Sequence, residues 1–468
     1  MMIIIRMAHA TLFPLALIAS ILSTRHDLAA SDPRHPAVDR GERVMRIFWQ
    51  DKSTDTLRWG EVFKGSQWLI TASPVKGFPA LDTERQDLVQ MEQSEGKLVV
   101  GVRDDDSGKF QSGWIAVDMG VTATSHGNHF DWKYDQSPSI VVSQLDTEQG
   151  NPAHVYLYDG FIYLANDARN GFTQLDPTRI SNGAVAPFGT FFSGGSGHIT
   201  LAAVKNQVGY STWIDAEGSS KGRVDVVNLT SEERTTPAYS FQLPSGVIHG
   251  ATTNSDKVFF APSDGVCWVN ADLSVSGATE AASVQHISLG IDQESEKPLR
   301  TGAFVNHRNW VLFTTGKGEH STLCLLNAAL KTPEVIRVPI NVADGLTLVT
   351  PEVVLAAGGK RYAFLFQDRK EGDIQELLTI VDLDPDGDRN FGDASVVKTI
   401  PVGASLVDGH SGHHGIAFDS EGRYACITNP GDGTIWLLTL KDLNVKFKSL
   451  VGGIPTAITG IGAAPHRH

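Results

Sequence analysis

Short apolar runs, rich in β-branched and aromatic residues and broken by Gly, Asp, Asn and Pro, recur along this chain from about residue 46 onward. Spacing at i, i+3, i+4, i+7 is almost nowhere sustained for three turns, so the pattern predicts strands rather than helices. The 46 glycines and 21 prolines fit a chain that turns often. One unit reads as an apolar strand, a turn with Asp or Gly, a second apolar strand, a turn with Gly, and a third strand ending in Asp or Asn. It begins at His154, His249, Gly302 and His414, with weaker copies near Arg46, Leu98, His198 and Val353. Each unit is a small sheet that cannot bury both faces alone; stacking such sheets in a ring buries them and protects their edges. The expected fold is therefore all-β, a β-propeller of eight blades, or seven if the first unit pairs with the last to close the ring.

Length changes this picture little, since a repeat architecture lets 468 residues form one domain, expected over 31–465. Residues 11–22 form an apolar core behind Arg6, and Leu28-Ala29-Ala30 offers a cleavage site, so residues 1–30 read as an export signal and the protein as periplasmic or secreted. No other stretch approaches a membrane span. The net charge of -14 argues against nucleic acid as a partner. Cys267, Cys324 and Cys426 are an odd set; the first two occupy matching points of two repeats and read as small buried strand residues.

The candidate chemistry lies in the histidines. His154, His198, His249 and His414 each open an inner-strand pattern, and equivalent points of successive blades meet at the mouth of the central channel. Imidazole is a common zinc ligand, and three or four converging donors complete a tetrahedral site. The plainer alternative is a structural ring of channel histidines. Two loops add donors: His126, His129 and Asp131 fall within six residues, and Asp408, His410, His413 and His414 within seven, the latter with Gly409 and Gly412 allowing close backbone approach. His286, His307, His320, His466 and His468 lack such context. The run Asp382–Asp388 resembles the start of a calcium loop but lacks its terminal Glu and contains Pro385, so it reads as an Asp-rich turn. There is no nucleophile elbow, phosphate-binding glycine loop, dinucleotide fingerprint or zinc-protease helix.

The stretches His126-Gly127-Asn128-His129-Phe130-Asp131, Pro152-Ala153-His154-Val155, His198, Ile248-His249-Gly250 and Asp408-Gly409-His410 fall in the order seen in one family. In them the chain resembles the periplasmic zinc-chaperone propellers of the AztD type, which accompany a zinc ABC importer and its binding protein. It departs from that pattern at Asn128, which stands where the family's loop carries Asp, at Gly197, where a second His is expected, and at the added His413-His414 pair. The resemblance implies zinc at the propeller mouth and its transfer to a periplasmic binding protein. The residues by themselves leave two other classes open: a metal-dependent propeller hydrolase or lyase, or a quinoprotein-like oxidoreductase, with Asp131 or Asp408 as base; and an interaction propeller that binds no metal. A carrier, not an enzyme, is the expectation.

Overall fold

The computed structural model describes residues 41–127, 129–181, 187–277, 283–370, 372–406 and 412–465. The expected export signal, and Asp408 and His410 of the second loop, lie outside them. Among the described residues there are strands and five short 3-10 turns, and no α-helix. The strands form eight antiparallel sheets arranged as the blades of a β-propeller. Their inner strands are Pro455–Ile461, Gln86–Ser94, Pro152–Tyr158, Leu201–Val204, Ala251–Asn254, Val305–His307, Glu352–Leu355 and Ile416–Phe418, for blades one to eight.

The first unit does pair with the last strand, but this does not reduce the count. Pro455–Ile461 lies beside Glu42–Asp51 as blade one's inner strand, while blade eight keeps four strands of its own. The closure also corrects the phase of two weak repeats. Arg46 and Leu98 both sit on second strands, Glu42–Asp51 and Lys97–Asp104, because blade one takes its inner strand from the far end of the chain and blade two begins at Gln86. That inner strand of blade two carries Gln86, Gln90 and Glu92 in place of an apolar run, so hydrophobic patterning passes over it.

Eight apolar layers hold the ring, one at each blade contact. Middle strands such as Trp310–Thr315 and Leu323–Leu326 are buried on both faces, which accounts for their unbroken apolar runs. Cys267 and Cys324 are fully buried within these layers, and burial pushes both thiols up to about 12. No helix among the described residues is long and apolar enough to cross a membrane.

Candidate metal centre

First strands of the blades begin, and second strands end, at one face of the ring; third strands end at the other. His154, His198 and His249 all lie at the first face, on three consecutive blades. His154 sits at a bulge early in Pro152–Tyr158, where the register with the next strand shifts between Pro152 and His154; such a bulge re-aims the side chain it carries. His198 stands in the turn before Leu201–Val204. Gly197 precedes it at φ +79, and a Cβ there would approach the Ile214 side chain to 2.7 Å, so a His at this position would be strained and would have to displace Ile214. His249 follows the fully buried Ile248, and its backbone amide donates to the Ala261 carbonyl at 3.1 Å.

The three rings converge. The Nε2 atoms of His154 and His198 are 3.0 Å apart. Ring centroids are separated by 4.7 Å for His154 and His198, 5.0 Å for His198 and His249, and 6.3 Å for His154 and His249. Imidazoles sharing a tetrahedral zinc through Nε2 hold those nitrogens about 3.3 Å apart and their ring centres about 5 Å apart. Two of the rings are anchored from behind: His198 Nδ1 lies 3.2 Å from an Asp167 carboxylate oxygen, and His249 Nδ1 lies 3.3 Å from the Gly302 carbonyl. A carboxylate or backbone carbonyl behind each ring is the arrangement that fixes a metal-binding tautomer. These residues fit a zinc ion by donor type and by support, and the pairs His154–His198 and His198–His249 also fit by spacing.

Below the mouth, Tyr156 and Tyr158 follow His154 on the same strand face, with ring centres 5.6 Å and 6.0 Å apart in turn. Burial holds both phenols well above their ordinary range, so this wall of the channel is neutral.

His413 and His414 are at the same face but form a different cluster. Both donate through Nδ1 to Asp368, at 2.8 Å and 2.6 Å. His414 also donates through Nε2 to the Gly403 carbonyl at 2.9 Å and stacks on Phe366 with ring centres 5.0 Å apart. Its side chain is fully buried, and with both nitrogens bonded it can take a metal only by breaking one of these contacts. His414 thus shares the strand-start register of His154, His198 and His249 but not their surroundings. Glu376 approaches the same group, but its carboxylate is taken up by the Arg369 and Ser405 amides and the Ser405 hydroxyl. Burial alone would raise the Asp368 carboxyl, yet hydrogen bonds and charge from His413 and His414 hold it below its ordinary value.

A cavity of about 610 Å3 joins the two clusters. His154 and His198 line it on blades three and four and His413 on blade eight, with Lys52 of blade one and Asp87 of blade two between them around the ring.

The loop at 126–131 lies elsewhere. It is the tip of a two-stranded hairpin, Thr122–Ser125 with Phe130–Lys133, inserted after the third strand of blade two. At its root Tyr134 donates to the Ala463 carbonyl at 3.2 Å, just beyond the far end of Pro455–Ile461. The hairpin thus projects from the face opposite the His154 cluster, and its expected place beside the mouth site is corrected. Within it, Asp131 lies 3.1 Å from His126 Nε2 and 3.7 Å from His129 Nε2, and the two rings stack.

Sequence reading missed Asp167, Asp368 and Arg103. All three lie at or just past the ends of second strands, which return to the face where the histidines start their own strands. Repeat register was the signal that would have found them.

No protein-family model matches the chain, and no curated protein does. Among solved structures the fold is that of AztD from Citrobacter koseri. The structure of its apo form is 14% identical, with 91% of this chain and all of that one covered at a TM-score of 0.61. A crystal structure of the same protein is 16% identical with the same coverage and TM-score.

Proposed function

We propose that this protein is an exported zinc-binding propeller that carries the ion and passes it to a transport binding protein. One observation carries the reading: three imidazoles from three consecutive blades converge around His198, whose Nε2 lies 3.0 Å from that of His154 and whose ring centre lies 5.0 Å from that of His249, and two of the three are braced through Nδ1. The AztD-type fold supports it, as does the family likeness of the histidine stretches. His154, His198 and His249 hold the ion. His413 offers a donor across the cavity through which the ion leaves; Asp408 and His410, outside the described residues, are further candidate donors by sequence, and His126, His129 and Asp131 form a separate set on the other face. Residues 1–30 direct export to the periplasm.

The size of the cavity supports a second reading. A space of about 610 Å3 is far larger than an ion and admits either a donor segment of a partner or an organic substrate of a metal-dependent hydrolase.

Zinc titration of the chelator-stripped protein tests both. We expect tight binding of zinc that is lost in the His154→Ala/His198→Ala/His249→Ala variant and that weakens in acid, where protons compete for imidazole. Transfer of zinc to an acceptor protein without turnover of esters, lactones or sugars selects the carrier; turnover abolished in the same variant selects the enzyme. Absence of zinc uptake at neutral pH overturns both.

A further inference from the structure

We infer that Asp167 is the positioning residue of the mouth site and that Arg103 limits its strength, an inference that rests on reading His154, His198 and His249 as metal ligands. Asp167 opens the turn that follows Phe161–Asn166, and its side chain is only 9% exposed. One carboxylate oxygen accepts from the Ile199 amide at 3.0 Å and the other from His198 Nδ1 at 3.2 Å. The carboxylate thus grips two consecutive residues of one turn, and the His198 ring cannot rotate without losing a bond that its own backbone neighbour helps to fix. Asp167 belongs to blade three and His198 to the start of blade four, so the grip also sets the spacing of His198 from His154, which is on Asp167's own blade.

An ionised carboxylate only accepts, so the hydrogen of a neutral His198 must lie on Nδ1 and its Nε2 presents a lone pair. The contact of 3.0 Å between the two Nε2 atoms needs one hydrogen. With His198 fixed in this way, that hydrogen belongs to His154. In the metal-free protein His198 is the Nδ1–H tautomer and His154 the Nε2–H tautomer.

Arg103 shares the oxygen that His198 uses, at 3.2 Å, and comes from blade two. A guanidinium on that oxygen draws charge away from the His198 bond and adds a positive charge near an incoming cation. Both effects lower the affinity of the site, which suits an ion that must be handed on. Asp167 is thereby set between a permanent cation and a ligand that gains one.

The test uses the full-length protein and its Asp167→Ala, Asp167→Asn and Arg103→Met variants. The 15N spectra of the histidine rings are read without metal, and zinc affinity is measured by chelator competition. In Asp167→Ala we expect His198 to leave the Nδ1–H form and zinc affinity to fall by about 10–100-fold. Asp167→Asn preserves the shape with a weaker acceptor and falls between wild type and Asp167→Ala, which separates positioning from misfolding. Arg103→Met keeps the His198 tautomer and binds zinc more tightly than wild type. An unchanged His198 tautomer together with unchanged zinc affinity in Asp167→Ala overturns the inference. If wild type binds no zinc, the assignment of the ligands fails instead, and the tautomers, read without metal, still decide what Asp167 does.

Discussion

His198 and His414 stand at the same point of two blades, each with an aspartate against its Nδ1, and the aspartates give them different work. Asp167 is shared with Arg103 and leaves His198 facing two other imidazoles. Asp368 is fully buried, and its partner His414 is closed off by the Gly403 carbonyl. Removing one member of a buried ion pair leaves the other charge uncompensated and costs about 3–5 kcal/mol. His414→Ala should therefore lower unfolding stability by about that amount, while His413 still holds one Asp368 oxygen, and should leave zinc stoichiometry unchanged. Denaturant unfolding and zinc titration of the same variant check both halves. The sign with pH follows from the depressed Asp368 carboxyl: its contribution is complete above the ordinary carboxylate range and is lost as pH falls through the folded value. The histidines themselves were legible in the sequence because a rare residue recurred at one register. Their aspartates were not, because Asp also fills turns throughout the chain and only the return of each second strand to the mouth distinguishes these two.

At the scale of elements, strand type was legible and strand phase was not. Apolar runs such as those of Trp310–Thr315 and Tyr424–Asn429 announce middle strands buried on both faces. The inner strand Gln86–Ser94 is rich in polar side chains and gives no such signal. The hairpin Thr122–Lys133 shows the same limit. Its ligand-type residues are plain in the sequence, but the face they occupy depends on which strand the hairpin follows. Because it leaves from the end of a third strand, it stands across the thickness of the ring from His154. The mouth site should therefore not notice its loss. A His126→Ala/His129→Ala variant is expected to bind the first equivalent of zinc as tightly as wild type and to lose only binding beyond that equivalent. Weakening of the first equivalent would show that the hairpin reaches the mouth site after all.

At the scale of the whole molecule, closing eight blades into a ring brings together carboxyls that no local pattern connects. Glu92 is on the inner strand of blade two and Glu352 on that of blade seven, and each senses the confinement of the central channel. Glu352 opens its strand at an exposed position, yet the protein around it desolvates the charge, which pushes its carboxyl up to about 7. Glu92 is pushed up to about 8, first by burial and then by the charge of Glu352. In the unfolded chain both would release their protons near the ordinary glutamate value of about 4.3. Between that value and about 8 the folded protein therefore holds more protons than the unfolded chain, and stability must fall as pH rises. The loss begins above the unfolded value and is complete once both carboxyls ionise in the ring. Melting temperatures measured from pH 5 to pH 8.5 should decline for wild type by a few degrees more than for Glu92→Gln/Glu352→Gln. Glu352→Gln alone should remove more than its own share, because it also relieves Glu92. A pH profile indifferent to both substitutions would mean that channel water solvates these carboxyls as freely as bulk water does.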